Sequence, residues 1–577
     1  MLRSTALAAI LFALPLAPAM AQNTSTAAQP AKISAAGEWN GKLTTPLRTS
    51  HLGVSIKETA PGQLTGTIGS HESGVWGTAL ADITRAGDAL SFRVPTTNGK
   101  FDGKWDPAAS AWTGTYTNPA GTFPLTLAQG PVPPLPTITA LNGRWEGALS
   151  VGIELKIVLR TKTDEHGTSM LMDSPTQGAN GIPVAKLAKD AQAVAFEVPS
   201  IRGRYTGTLS EDGATLTGTW NQAMDMPLTL TRVSMDASVP EARRPQTPKA
   251  PFPYKVEEVG YDNPKAAGVH LGCTLTTPQT GGPHPAALLI TGSGPQDRDE
   301  TLMGHQIFGV LADHLTRKGI AVLRCDDRGV GKSTGVFLNA TPTDFATDAE
   351  AGVAFLRKRP DIDPKRIGLI GHSEGSVTGP KVVLANPDVA FLVMMGGLGA
   401  KGVDVMTEQR TLITMAMGLP PEQEPMIRMS SSLLLNAAIN GPDEAAANEA
   451  VANLLVVASM GAMTQDQAKE TAKEFTSPYM RDLLNYDPAP VLSKITIPVL
   501  AITGEKDLQV PAKQNLPLIK SLMANNPDVT TIEVPNLNHI FQTARTGAPS
   551  EYGEIEESFA PAALDEISNW IVKRMKP

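Results

Sequence analysis

The segment RIGLIGHSEG, residues 366–375, decides the fold class of this chain. Its apolar run 366–370 predicts a buried strand, and a Gly-x-Ser-x-Gly motif follows that run directly, ahead of a helix-compatible segment. A sharp turn from strand to helix strains a serine, and flanking glycines let neighbouring backbone come close. We therefore expect Ser373 to project its hydroxyl above a sheet, where a nucleophile would lie.

The sequence around this motif predicts an α/β domain from residue 254 to 577. Runs that are apolar throughout are typical of strands buried on both faces, and therefore of a mostly parallel sheet covered by helices. Strand-like, mostly apolar runs lie at 286–290, 320–324, 366–370, 389–395, 497–502 and 530–534, and helical patterns such as 306–318 and 344–358 lie between them.

Two further residues are candidates for activating Ser373. A serine is a weak nucleophile until a base accepts its proton, and in this setting the chain order is serine, acid, histidine. His539 is the only histidine after Ser373, and it follows the last apolar run. Asp507 follows the run before it, and we predict that Asp507 orients the imidazole. Glu505 is the alternative acid.

An oxyanion needs two preorganised N–H donors. The backbone amide of Glu374, just after the serine, is one candidate. The second is expected in the loop 291–295, which follows the first apolar run. Ser293 and Gly294 can both supply it, and we choose Ser293.

Two nearby features favour structural interpretations. Ser333 lies in a second Gly-x-Ser-x-Gly motif, but the polar turn 326–329 separates it from the preceding strand. A phosphate-binding loop would need glycine at Asp326, so we predict a structural loop. Arg298 could meet a substrate carboxylate, but we favour an internal ion pair with a neighbouring acid.

Together these motifs resemble bacterial α/β-hydrolases of the carboxylesterase branch, which are related to serine aminopeptidases and dipeptidyl-peptidase-like hydrolases. The resemblance covers about residues 254–577 and rests on the segments 290–300, 323–335, 367–376, 502–511 and 536–541. It implies an α/β-hydrolase fold and a Ser–Asp–His esterase acting on short acyl esters, with Ser373, Asp507 and His539 in those roles. Ser376 stands where such enzymes often have a second glycine.

The segment of about 398–495 predicts a helical cap inserted over the site. It is rich in Ala, Leu and Met, with helical periodicity at 445–460 and 464–475. Ten of the 20 methionines fall between 394 and 480. They are expected either as plain core or as a deformable acyl pocket.

The N-terminal half predicts two small all-β repeats, 22–130 and 139–235, followed by a Pro-rich linker, 236–253. GEWNG at 37–41 matches GRWEG at 143–147, and both copies end in Pro-Leu-Thr-Leu. Six of the seven tryptophans lie in these repeats. We expect them mainly in the cores, with a glycan or envelope contact as the alternative.

Residues 1–21 predict a cleaved signal peptide, and therefore a periplasmic or secreted protein without stable membrane insertion. The net charge of −8 gives no footprint for nucleic acid. Two cysteines exclude a disulfide-rich scaffold, a four-thiolate iron–sulfur cluster and a Cys-rich zinc site. Export would permit a disulfide, but we favour Cys273 and Cys325 as buried thiols.

The leading hypothesis is a serine esterase that works through an acyl-enzyme on a small-molecule ester. It requires no cofactor and no metal. A serine peptidase of the same fold is the first alternative. A non-catalytic envelope-binding protein that uses the β repeats is the second.

Overall fold

The computed structural model describes residues 34–575, except for 46–48, 98, 119–120, 151–153, 176–178, 223, 235–242, 338–339, 417 and 460–462. The predicted signal peptide lies outside the described residues, as does the first part of the linker. None of the helices in the described segments has the length and apolar character needed to span a bilayer.

Each N-terminal repeat forms one nine-stranded antiparallel sheet. The two sheets share one plan, in which the first strand pairs with both the second and the last strand of its repeat. The strands of the first sheet are β1 Gly37–Thr44, β2 Thr49–Ala60, β3 Gln63–Ser70, β4 Val75–Ala79, β5 Ala81–Ala86, β6 Ala89–Val94, β7 Gly99–Asp106, β8 Ala111–Asn118 and β9 Gly121–Gln129. Those of the second are β10 Gly143–Ser150, β11 Glu154–Asp164, β12 Gly167–Ser174, β13 Ala179–Pro183, β14 Ala185–Asp190, β15 Ala193–Val198, β16 Gly203–Leu209, β17 Thr215–Gln222 and β18 Met224–Val233. The prediction of two all-β repeats is confirmed.

Tryptophans fill the cores of both sheets, as predicted. Trp39 and Trp112 are buried in the first, and Trp145 and Trp220 in the second. The indole N–H groups of Trp39 and Trp145 each donate to the carbonyl four residues earlier, at 2.9 Å in both repeats. The two repeats therefore share not only the Gly-x-Trp-x-Gly motif but also the hydrogen bond that its tryptophan makes.

The C-terminal part is built on an eight-stranded sheet in the order β19-β20-β24-β21-β25-β26-β27-β28. The pairs β19–β20 and β20–β24 are antiparallel, and the remaining pairs are parallel. The strands are β19 Tyr254–Asp262, β20 His270–Pro278, β21 His284–Ile290, β24 Ala321–Cys325, β25 Ile362–His372, β26 Leu392–Met395, β27 Val499–Gly504 and β28 Val529–Val534, with the short pair β22 Thr301–Leu302 and β23 His305–Gln306 apart from the sheet.

Helices cover both faces of this sheet and form the predicted insertion. In chain order they are α1 Ile307–Arg317, α2 Pro342–Arg357, α3 Gly375–Ala385, α4 Gly402–Met415, α5 Glu424–Asn440, α6 Glu444–Ala458, α7 Gln465–Thr476, α8 Pro478–Leu484, α9 Ala489–Leu492, α10 Ala512–Leu522 and α11 Pro561–Arg574. Helices α2, α3 and α10 pack on one face and α1 and α11 on the other. Helices α4 to α9 lie between β26 and β27, and we call them the cap.

The prediction of free thiols is wrong, because Cys273 and Cys325 form a disulfide. Strands β20 and β24 are antiparallel neighbours, and their register places the two cysteines directly opposite each other. The apolar character of both strands suggested buried thiols, but it carried no information about this cross-strand pairing.

Contacts join the β repeats and the linker to the rest of the molecule. The Trp76 and His166 rings, one from each repeat, stack with centroids 3.7 Å apart. The Arg202 guanidinium donates to the hydroxyl of Thr471 on cap helix α7 at 2.7 Å. In the linker, Arg244 donates to three carbonyl oxygens of the C-terminal domain, including those of Met303 and Gly553.

Candidate active site

Ser373 occupies the sharp turn between β25 and α3. Its φ is +52°, a left-handed conformation that costs energy for a residue with a side chain. A Cβ at Gly371 would lie 2.1 Å from the Gly375 carbonyl oxygen, and one at Gly375 would lie 2.2 Å from that of Ile290. The turn therefore closes only because both flanking residues are glycines.

Ser376, where a second glycine was expected, supports the turn. Its hydroxyl donates to the Ser373 carbonyl oxygen at 2.6 Å and accepts the backbone N–H of Leu398 at 3.2 Å. The side chain is fully buried. It therefore ties the turn to the segment that leads into the cap.

Asp507 and His539 lie together at the C-terminal ends of neighbouring strands. His539 Nδ1 is 2.8 Å from Asp507 Oδ2, and both residues are buried. The other carboxylate oxygen of Asp507 accepts the backbone N–H groups of Gln509 and Val510, each at 2.8 Å. The carboxylate is thus held so that one oxygen faces the imidazole. Glu505, the alternative acid, instead accepts the backbone N–H of Asn536.

Ser293 and Gly294 lie across a cavity of about 260 Å³ from the cap and line it together with Ser373 and Glu374. Gly292, one residue earlier, packs against the turn that carries Ser373. A Cβ added at Gly292 would lie 3.4 Å from the Cβ of Ser373. The loop selected from the sequence is therefore adjacent to the serine.

Cap helices α4 and α8 form the roof of the same cavity. Its apolar lining comes from Leu398, Val405, Met406, Met480, Leu483 and Val510. Of the cap methionines, Met406 and Met480 line the cavity, whereas Met426 and Met429 are exposed. The methionine-rich segment thus contributes two side chains to the pocket.

Residues 305–542 match the sequence profile of the family described as serine aminopeptidase, S33. The C-terminal domain has the α/β-hydrolase fold. The chain is also 28% identical over 303 residues to the esterase EstD of Thermotoga maritima. That alignment covers 52% of this chain and 65% of the relative, a little under two thirds of its length.

Solved esterase structures each align with a little over half of the chain. The Pyrococcus furiosus esterase Pf2001 aligns at 15% identity and a TM-score of 0.35, covering 56% of this chain and 92% of that one. Est1E from Butyrivibrio proteoclasticus aligns at 15% identity and a TM-score of 0.33, covering 55% and 98%.

A hydrogen bond between Tyr479 and Glu374 joins the cap to the turn that carries Ser373. The Tyr479 hydroxyl, from α8, donates to the Glu374 carboxylate. Burial raises the pKa of Glu374 to about 7, although the hydrogen bond acts in the opposite direction. The sequence analysis selected Glu374 for its amide alone and missed its side chain, because the partner lies 105 residues away.

A second acid–imidazole pair, Glu300 and His372, lies behind the first and was also missed. His372 Nδ1 is 2.8 Å from Glu300 Oε1, and both side chains are buried. The hydrolase motifs contain both residues, at the end of 290–300 and beside the serine. The position of both residues in these motifs was therefore a signal, but nothing in the sequence showed that Glu300 and His372 contact each other.

The remaining predictions concern Ser333 and Arg298. The Ser333 hydroxyl donates to the Asp326 carbonyl oxygen and accepts the Gly272 N–H, so it is part of a buried loop contact. Arg298 forms an ion pair with Asp326, with its closest contact at 2.6 Å, and a second pair with Glu258. Both structural interpretations are confirmed. Within the described segments, no cluster of His, Cys, Asp and Glu side chains could hold a metal ion.

Proposed function

We propose that this protein is a serine hydrolase that cleaves carboxylic esters through Ser373, His539 and Asp507. One observation carries the proposal: Ser373 lines the cavity in a strained turn that a nucleophilic serine requires. The buried Asp507–His539 pair supports it, since a carboxylate on Nδ1 leaves Nε2 to act as the base.

In the proposed reaction, Ser373 Oγ attacks the ester carbonyl carbon while His539 accepts the hydroxyl proton. The tetrahedral intermediate collapses, and the alcohol leaves with that proton, so that an acyl-serine remains. Water then attacks the acyl carbon as His539 accepts its proton. Release of the acid returns a proton to Ser373.

Glu374 and Ser293 are the proposed oxyanion donors. Their backbone N–H groups donate to no protein acceptor in the described segments. Both residues line the cavity beside Ser373. Free amides aimed at the reacting centre are what a developing oxyanion requires, and loss of one such donor typically costs about 10²–10³ in rate.

The cavity favours short, apolar acyl groups. Apolar side chains line its roof, and its volume of about 260 Å³ lies below the roughly 300–1,000 Å³ typical of drug-sized ligand pockets. The name of the relative, an esterase, supports the ester class.

The family description keeps a peptidase as the second candidate. Purified protein assayed on p-nitrophenyl esters of increasing acyl length, beside aminoacyl anilides, separates the two. Turnover of short esters with little anilide cleavage supports the esterase. Preferential cleavage of the anilides would favour the peptidase.

We also propose that the protein is exported, on the strength of the signal-peptide pattern in residues 1–21. The Cys273–Cys325 disulfide supports export, because disulfides persist in oxidising compartments.

The serine itself is tested by Ser373→Ala. Ester turnover should fall by several orders of magnitude, because the covalent step is lost. Ser333→Ala is the matched control, since Ser333 lies in the same motif but in a buried loop. The control should keep turnover while it loses stability. Near-normal rates in Ser373→Ala would refute the proposal.

A further inference from the structure

The Glu300–His372 pair connects the two loops that the proposed function requires. Glu300 Oε1 accepts the backbone N–H of Gly292, next to Ser293, at 2.7 Å. His372 Nε2 is 3.0 Å from the backbone carbonyl oxygen of His539. One buried pair therefore touches both the oxyanion loop and the backbone of the proposed base.

Both ring nitrogens of His372 face acceptors. One faces the Glu300 carboxylate and the other a carbonyl oxygen, which can only accept. A neutral imidazole has a single N–H and can donate to only one of these partners. Two N–H groups satisfy both, and that requires an imidazolium ring.

One oxygen of the Glu300 carboxyl group serves both of its contacts. Its Oε1 receives two contacts from nitrogen, whereas its Oε2 is buried without a protein partner in the described segments. A buried negative charge is costly unless a cation compensates it, and the ring of His372 is the group placed to do so.

The backbone conformation of Glu300 indicates that the direction of its side chain matters. Its φ is +48°, a conformation that is unfavourable for a residue with a side chain. Strain of this kind persists where the surrounding structure needs the side chain in one direction. Here that direction is towards Gly292 and His372.

The charged groups around His372 agree with a cationic ring. Burial on its own lowers the pKa of His372, but the Glu300 carboxylate and the more distant Asp507 raise it, and the net pKa lies above the ordinary value. The His539 ring, with its centroid 4.8 Å away, is a further titratable neighbour.

We propose that His372 is a positioning residue whose ring carries both N–H groups at neutral pH and that, with Glu300, holds the oxyanion loop and the His539 loop in register. The proposal rests on the proposed function for its catalytic consequence. The ring protons stay in place during turnover, and His372 does not touch substrate. Its role is to fix the distance between the oxyanion loop and the His539 loop. That distance determines whether the Ser293 amide and the His539 imidazole can act on the same ester carbonyl.

Nitrogen NMR of the full-length protein with ¹⁵N-labelled histidine tests the protonation state. The His372 signals, assigned by their loss in His372→Gln, should show two protonated ring nitrogens at neutral pH, where free histidine is mostly uncharged. One unprotonated nitrogen at neutral pH would overturn the proposal. This measurement needs no activity, so it remains decisive if the esterase proposal fails.

Glu300→Gln tests the positioning role. The amide removes the compensating charge, so His372 should lose one ring proton and release the His539 carbonyl. We expect kcat for ester hydrolysis to fall roughly tenfold to a hundredfold with little change in KM, because misplacement affects the transition state more than binding.

Asp299→Asn is the matched control, an acid-to-amide change in the same loop whose partner is Arg324. It should keep kcat and the His372 spectrum. A Glu300→Gln protein with wild-type kcat, or with the same loss as the control, would overturn the positioning role.

Discussion

Ser373 can occupy its strained turn because three successive close approaches involve glycine. Gly371 meets Gly375, Gly375 meets the Ile290 carbonyl oxygen, and Gly292 faces the serine itself. The two glycines of the motif matter as much as the serine, because the turn has no room for a side chain at either position. The two motif glycines are readable from the sequence because they flank the serine, whereas the approach of the loop with Ile290 and Gly292 is not.

Gly375→Ala should destabilise the protein by more than about 3 kcal/mol, since its new Cβ would overlap the Ile290 carbonyl oxygen and force backbone to move. Gly379→Ala, one turn later in α3, is the control. Its Cβ would meet only the end of the Leu392 side chain, at 3.0 Å. Denaturant unfolding compares them, and equal losses would contradict the steric account.

Glu374 should make stability depend on pH. Because its folded-state pKa of about 7 lies above the ordinary value of 4.5, its proton is held more tightly in the folded protein. The resulting stabilisation is complete below the unfolded pKa and disappears as pH rises through about 7. At about 1.4 kcal/mol per pKa unit, the effect is of the order of 3 kcal/mol.

Glu374→Gln isolates this contribution. The difference in unfolding free energy between the variant and the wild type should change between about pH 4.5 and about pH 8, with the variant gaining relative stability as pH rises. Urea unfolding at several pH values measures it. A difference that does not vary with pH would contradict the buried, easily protonated carboxyl.

The observed strands and helices agree closely with the predicted ones where the local sequence pattern favours a single type of element. The run 530–534 became Val529–Val534, and the helical pattern 344–358 became Pro342–Arg357, where Thr341 forms a capping box with Asp344. Pairings between distant elements were harder to foresee. The disulfide, the Glu300–His372 pair and the Tyr479–Glu374 contact all depend on register or packing, which local periodicity does not contain.

The disulfide should stabilise the hydrolase sheet. It joins β20 to β24 across a sequence separation of 52 residues, for which chain-entropy arguments give up to about 4 kcal/mol. Replacing both cysteines with alanine should lower the free energy of unfolding by about 2–4 kcal/mol. A thiol assay on the unfolded, unreduced wild type provides the control, and two free thiols would contradict the bond.

On the scale of the whole molecule, the linker belongs with the hydrolase domain. Arg244 reaches the carbonyl oxygens of Ile555 and Gly553, and Gln246 bonds the backbone of Ser558 and Phe559. The sequence indicated a Pro-rich linker at this point. Its proline content was readable, but the docking of two polar side chains on a loop 300 residues away was not.

These contacts predict where the β repeats can be removed. A chain beginning at residue 243 keeps Arg244 and Gln246, and it should unfold at a higher temperature than one beginning at 251. Both should hydrolyse esters if the repeats only position or tether the enzyme. Thermal unfolding and ester turnover measure the two effects, and a folded but inactive chain from 243 would mean that the repeats complete the site.

The proposed serine, acid and base stand at positions 373, 507 and 539, each just beyond a different strand of one sheet. A ribosome must therefore add 166 residues after the serine before the imidazole exists. Until then the growing polypeptide carries a hydroxyl with no partner to activate it. On the proposed function, synthesis order alone would keep the unfinished chain from attacking the esters of the cell that makes it.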